Sequence, residues 1–307
     1  VAYSFAEKLT EEQHIPIGII DLSVGGSNTE SWIDRKSLEN DDLLASYIHS
    51  WQKSDFLQDF CRERASQNLV HSNVKNQRHP YQPAYNFEAG VSKWLGTGLK
   101  GILWYQGESN AHNIELHERL FKTLVSSWRK SFHQDLPFFF VQLTSLDRPS
   151  WGNFRNSQRL LEKQISGTYM AVTLNVGDSL DVHPREKILV GQRLANLASQ
   201  HLYGAVLNAD HPNPIQYRVY DDRLLLTFDH CTKLKTNGNT TVKGFQLVDN
   251  KGRIFNVRAN ILSDNTVEIN KPNGEVTRIL YGYEPFSRAN LQNEIGTPVS
   301  TFDLTIK

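Results

Sequence analysis

Long hydrophobic runs are missing from this chain: no stretch approaches the roughly 18 apolar residues that a bilayer-crossing helix needs. Net charge is missing too. Lys and Arg total 33 and Asp and Glu total 33, so no overall field draws the chain onto nucleic acid or an anionic membrane, and the expected partner is a small or neutral molecule. Cysteine is scarce. Cys61 and Cys231 are too far apart in sequence to read as a metal knuckle, and a pair alone does not fix the redox compartment; we expect both to be unpaired. His71, His79, His112 and His133 show no ligand spacing such as His-x-x-x-His, which disfavours a metal site. An initiating methionine and a charged n-region are also lacking, because Val1 opens directly on a helical pattern. Upstream sequence, with any localisation signal it holds, is expected to lie outside these residues.

What is present is an alternation of strand-length apolar runs with amphipathic stretches. Val1, Ala2, Phe5, Ala6 and Leu9 recur at helical spacing. Ile15 to Ile20 then reads as a buried strand that ends in the small-residue segment Ser23-Val-Gly-Gly-Ser27. Residues 34–85 are rich in Ser, Asn, Gln and His, with helical patches at Leu43 to Trp51 and Phe56 to Cys61, and read as an insertion over one face. Leu99 to Tyr105, Pro137 to Leu143 and Met170 to Val176 are further predicted strands. Helices are predicted between them, with Leu116, Leu120, Phe121, Leu124, Val125 and Trp128 on one face of the first, then over residues 154–165, and finally from Glu186 to Tyr203. Continuous apolar strands separated by amphipathic helices predict an α/β fold with a parallel sheet covered on both faces. Past Asn208 to Pro214, a predicted linker, short β-rich runs are separated by Asn237-Gly238, Asn250-Lys-Gly252 and Asn273-Gly274, which predicts an antiparallel β-module.

Sites in open α/β sheets lie at the strand ends, and three loops there hold chemistry. Ser23 to Trp32 presents Gly25 and Gly26, whose N–H groups can face a ligand with no Cβ in the way; the plainer alternative is a tight turn. Trp104-Tyr-Gln-Gly-Glu-Ser-Asn110 sets polar residues directly after a buried strand, as a cleft lining or as a helix cap. Gly177 to Pro184 carries His183 with Asp181 and Asp178 close by. That loop forms either an acid/base pair or a capped helix start with a surface histidine.

Taken together these stretches resemble the sialate O-acetylesterase family of the SGNH-hydrolase superfamily. The matching residues are Val1 to Ala6, Ile15 to Trp32 with its Gly-Gly-Ser and Glu-Ser-Trp, Trp104 to Ala111, Leu136-Pro-Phe138, Val141-Gln-Leu143, His183-Pro184, Asn290 to Asn293 and Gly296 to Phe302. The resemblance implies an SGNH-like parallel sheet flanked by helices, its first strand missing from this chain, with an esterase domain over residues 1–208 and a β-module over 209–307. It also implies serine–histidine acyl transfer on an O-acetylated sugar, sialic acid first and a plant polysaccharide such as acetylxylan second. His183 is then the catalytic histidine. Gly25 or Gly26 gives a backbone oxyanion donor, and Gln106 or Asn110 gives a side-chain one, Gln106 preferred as the first residue off the strand. Glu108 and Ser109 support the substrate site. Arg155 and Arg159 are either partners for a sialate carboxylate or solvated surface arginines. No cofactor is implied, and the family points to a periplasmic, secreted or lysosomal-type compartment.

Two departures mark this chain. The family's superfamily commonly places Asp three residues before the histidine, where this sequence has Leu180. Asp181, Asp178 or a backbone carbonyl is left to orient the ring. The family's nucleophile lies in a Gly-Gln-Ser-Asn motif upstream of the helix matching Val1 to Leu9, and that motif is absent here. Ser27, in Gly-Gly-Ser-Asn, sits instead in the family's second block. We therefore expect the nucleophile on an N-terminal segment or a small subunit, and expect that loss of the first strand exposes apolar surface on the first helix. A non-catalytic sugar-binding fragment is the rival of another class.

Overall fold

The backbone follows the alternation of apolar runs. In the computed structural model, which describes residues 1–306, the chain opens with α1 (Ala2–Gln13) and passes through α2 (Arg35–Glu39), α3 (Asp42–Ser50), α4 (Asp59–Val70) and α5 (Tyr85–Ala89). It continues as β1 (Ile102–Trp104), α6 (Ile114–Phe132), β2 (Phe138–Gln142), α7 (Trp151–Gln164), β3 (Thr168–Val172) and α8 (Lys187–Tyr203). The three strands pair in the order β1-β2-β3. Each connection runs through a helix, as a parallel crossover requires, and every residue of β2 is buried. Lys307, the last residue of the expected β-module, lies outside the described residues.

Two compact units make up the fold, one from residues 1–19, 139–163 and 169 onward, the other from residues 20–138 and 164–168. In the second unit, Asn113 caps α6 by accepting the Leu116 N–H at 3.0 Å. The predicted stripe from Leu116 to Trp128 is buried. Trp128 donates its indole N–H to Trp32 O at 2.8 Å, which ties α6 to the glycine loop. The polar insertion has a core of its own, formed by Tyr47, Trp51, Leu57, Cys61, Ala65 and Tyr81 with Phe56. Few large apolar residues are spread along it, but they converge.

In the first unit α1 packs on α8. The approach is close enough that a Cβ on Gly191 would lie 2.1 Å from Ser4 Oγ and 2.5 Å from Val1 O, so glycine is required there. Beyond α8 come β4 (Pro214–Val219), β5 (Arg223–Phe228), β6 (Lys235–Thr236), β7 (Phe245–Asp249), β8 (Ile254–Asn256), β9 (Ala259–Ser263), β10 (Thr266–Asn270), β11 (Val276–Tyr281), β12 (Leu291–Gln292) and β13 (Phe302–Thr305). They form antiparallel sheets β4-β5-β10-β9 and β13-β11-β7-β8 with a small β12-β6 pair. Leu224, Leu226 and Phe228 alternate inward along β5, and Tyr281 stacks on Phe302 at 5.5 Å.

The structure corrects several expectations. Ile15 to Ile20 is not a buried strand: it pairs with no strand among the described residues, and Ile15, Ile19 and Ile20 are 41%, 42% and 37% exposed. A strand is held by its neighbour's hydrogen bonds, and apolar composition alone does not supply them. Of the apolar surface expected to be exposed on α1, Phe5 and Leu9 are buried while Val1, Ala2 and Ala6 are half-buried. The predicted strand running to Val176 leaves the sheet at Val172, and the predicted linker ends at Pro214, where β4 begins. Among the described residues no helix is long and apolar enough to cross a membrane, and no group of three or more His, Cys, Asp or Glu is arranged to hold a metal ion.

Candidate active site

Gly25 and Gly26 form an exposed turn whose carbonyls are both held from within the same unit. The Tyr81 hydroxyl donates to Gly25 O at 3.2 Å. Ser109 Oγ donates to Gly26 O at 3.0 Å, with the Cys61 thiol at 3.8 Å from the same oxygen. The peptide bonds are trans, so the N–H of Gly26 points opposite to the Gly25 carbonyl and away from the Tyr81 hydroxyl that holds it. The N–H of Gly25 likewise points opposite to the Val24 carbonyl, which accepts from Ser27 N at 3.3 Å and Ser27 Oγ at 2.8 Å, so what distinguishes Gly26 is its backbone. Its φ is +72°, and an added Cβ would meet the Tyr81 hydroxyl at 2.5 Å.

The second loop is bound to the first by a buried set of amides. Asn110 Oδ1 accepts from Thr29 N at 3.0 Å and from Gln106 Nε2 at 2.8 Å, while Asn110 Nδ2 donates to Glu30 Oε2 at 3.0 Å. Gln106 Nε2 also donates to Ser27 O at 3.1 Å, and Gln106 Oε1 accepts from the Thr29 hydroxyl at 2.7 Å. The other carboxylate oxygen of Glu30 accepts from the Tyr47 hydroxyl. Glu30 is fully buried, Asn110 is 2% exposed, and Gln106 is half-buried, so of the two amide side chains Gln106 is the one within a ligand's reach. Burial first, then the Glu30 carboxyl, raise Tyr47 well above the usual phenol range, which keeps it a donor. Glu108 is half-buried, and its carbonyl accepts from Gln58 Nε2 at 3.2 Å. Ser109, 7% exposed, spends its hydroxyl on Gly26 rather than on a ligand.

Neither Ser27 nor Cys61 is built to attack. Ser27 is 4% exposed; its hydroxyl donates to Val24 O at 2.8 Å and accepts from Trp32 Nε1 at 2.9 Å. The Cys61 thiol is buried, and that burial pushes its pKa up to about 11, so the thiolate is not present near neutrality.

In the other unit, His183 lies on an exposed turn with its side chain 81% accessible. Asp181 accepts the His183 backbone N–H at 2.8 Å, and its Oδ1 is 3.6 Å from His183 Nδ1. Asp178 accepts instead from Leu180 N at 2.9 Å and shapes the turn. Of the two acids, Asp181 is the one beside the ring. Arg155 and Arg159 are not the solvated surface arginines that one reading expected. Arg155 is fully buried, donating to Thr301 Oγ1 and to the carbonyls of Pro285, Gly282 and Glu284 at 2.7–2.9 Å. Four of the roughly five guanidinium N–H groups are so used, which makes Arg155 a tie between α7 and the loop after β11. Arg159 is 6% exposed and donates to Asn156 Oδ1 at 3.0 Å. Sequence reasoning missed Thr29, Glu30 and Tyr47. Glu30 stood in the quoted Glu-Ser-Trp motif, whereas nothing in the local sequence marks Tyr47.

Fold and loops together are those of an α/β protein similar to carbohydrate esterases. The solved structure of a carbohydrate acetylesterase from Xanthomonas citri matches 98% of this chain and 64% of that one, with a TM-score of 0.75 at 26% identity. Residues 68–200 match the family described as carbohydrate esterase, sialic acid-specific acetylesterase. The sialate O-acetylesterase of Mus musculus is 25% identical over 92% of this chain and 58% of its own length, and that of Homo sapiens is 24% identical over 92% and 55%. The chain is similar to the sialate O-acetylesterases over most of its own length, and spans a little over half the length of these curated relatives.

Proposed function

We propose that this chain is a large part of a carbohydrate O-acetylesterase that removes acetyl groups from O-acetylated sialic acids, its attacking serine supplied by a segment outside these 307 residues or by a partner subunit. The observation that carries the reading is the junction of the two loops. A backbone N–H of Gly25 or Gly26 and the amide of Gln106 come from loops joined through the 3.1 Å contact of Gln106 Nε2 with Ser27 O. A backbone and a side-chain donor held in this way suit the oxyanion of a tetrahedral acyl intermediate. In the proposed cycle the serine oxygen attacks the acetyl carbon while His183 takes the serine proton. The bond from acetyl carbon to sugar oxygen breaks, and His183 gives that proton to the sugar. Water, deprotonated in turn by His183, attacks the acyl-enzyme, releases acetate and restores the serine. Asp181 orients the imidazole, and the cycle needs no cofactor. By kinship the compartment is a secreted, periplasmic or lysosomal-type one.

Fluorophosphonate labelling with peptide mapping tests this, run on the 307-residue chain alone and with the nucleophile-bearing segment added. Label and acetate release from O-acetylated sialic acid are expected only with the segment, and His183→Ala is expected to lower turnover by about two to four decades. Faster release from acetylxylan would move the substrate to a plant polysaccharide. Sugar binding without acetate release in either form would make the chain a binding fragment, and stoichiometric labelling of Ser27 would overturn the assignment of the nucleophile.

A further inference from the structure

We infer that Glu30 is a positioning residue whose buried carboxyl sets which end of the Asn110 amide, and through it of the Gln106 amide, faces inward. The catalytic consequence rests on the acetylesterase reading; the geometric one does not. Glu30 is fully buried, and its oxygens take the Tyr47 hydroxyl on one side and Asn110 Nδ2, at 3.0 Å, on the other. Since the carboxyl oxygen accepts, Asn110 turns its NH₂ end toward it. That leaves Asn110 Oδ1, which accepts only, facing Thr29 N at 3.0 Å and Gln106 at 2.8 Å. Gln106 must then present its own NH₂ end, and its oxygen is left for the Thr29 hydroxyl at 2.7 Å. Reversing either amide brings donor against donor or acceptor against acceptor in a dry site, where a mismatch is most costly.

A chain of amides has no preferred direction of its own; the backbone groups Thr29 N and Ser27 O bias this one from its sides, and the Glu30 carboxyl, the charged acceptor at its buried end, holds it there. The N–H of Gln106 that rests on Ser27 O at 3.1 Å is the one a substrate oxyanion competes for. Tyr47 comes from α3, so the polar insertion has a defined part here: it closes the far side of Glu30 with a donor. The site thereby spends no N–H of Asn110 or Gln106 on that oxygen.

The test reads geometry and catalysis separately. In the side-chain amide NMR spectrum of the ¹⁵N-labelled 307-residue chain, the Asn110 NH₂ protons are expected to show NOEs to the Tyr47 ring, and both amide pairs to exchange slowly. An Asn110 oxygen facing Glu30 in the unsubstituted chain would overturn the inference without any variant. Glu30→Met fills the space without an acceptor and is expected to speed Gln106 amide exchange, whereas Glu30→Gln, which can accept from Asn110 and donate to Tyr47, restores most of the protection. Identical spectra for Glu30→Met and the parent would overturn it. In the segment-complemented enzyme, Glu30→Met and Gln106→Ala are each expected to lower kcat about a hundredfold with KM within about twofold, and Glu30→Gln to recover most of the loss. The double variant should be no worse than Gln106→Ala alone; multiplied effects would show that Glu30 acts independently of Gln106. If no form releases acetate, the functional reading fails while the spectra still decide the role of Glu30.

Discussion

Gly25 and Gly26 are adjacent and both exposed, yet they answer differently to a methyl group. Gly26 has φ +72° with the Tyr81 hydroxyl 2.5 Å from a Cβ, while Gly25 has nothing within 4 Å and no left-handed φ. Gly26→Ala is expected to lose about 2 kcal/mol, roughly 1 from the left-handed backbone and the rest from displacing Tyr81. Gly25→Ala should stay within about 0.5 kcal/mol of the parent. Urea unfolding of the two variants measures this, and equal losses would mean that the turn is not held by Tyr81. The glycine pair was legible in the sequence because glycine advertises backbone demands. Glu30 and Tyr47 were not, because a buried carboxyl and the phenol that satisfies it lie 17 residues apart and meet only through the packing of α3.

Among the elements, α6 announces itself through a helical stripe and an Asn cap, but the same helix buries a histidine. His117 is 2% exposed with its ring 6.1 Å from that of Phe121, and burial alone lowers its pKa to about 3. In the unfolded chain a histidine titrates near 6.5. Between those values the unfolded state binds the extra proton, so the stability present above about pH 6.5 falls as pH drops toward 3, by about 1.4 kcal/mol per unit. His117→Leu should therefore narrow the stability difference between pH 7.5 and pH 5 by about 2 kcal/mol, measured by urea unfolding at both values. An unchanged difference would mean that His117 is protonated in the native state. Helices such as α6 were readable because their hydrogen bonds are internal and their apolar period is local. Ile15 to Ile20 was misread because its composition fits a strand, while pairing depends on a neighbour that no local pattern contains.

On the scale of the whole molecule, that unpaired run leaves Ile15, Ile19, Ile20 and Val24 each more than a third exposed within ten residues. Free backbone groups beside exposed apolar side chains invite pairing with other chains. Sedimentation velocity is expected to show concentration-dependent association of the isolated chain, weakened by Ile19→Lys. A single species of unchanged size in parent and variant alike would contradict this.

By itself the sequence determined the α/β alternation, the β-rich C-terminal portion, three candidate loops and the similarity to carbohydrate acetylesterases, since each is written in local period, turn residues or contiguous motif. The tertiary structure alone decided that Ser27 is spent on its own loop, that Arg155 is a buried tie, that Gly26 and not Gly25 takes the left-handed backbone of the turn, and that Glu30 directs the amides of Asn110 and Gln106. Those outcomes turn on which groups satisfy one another once water is gone. Hydrogen-bond partners distant in the chain are chosen by packing, and the price of leaving a buried polar group unpaired enforces the choice.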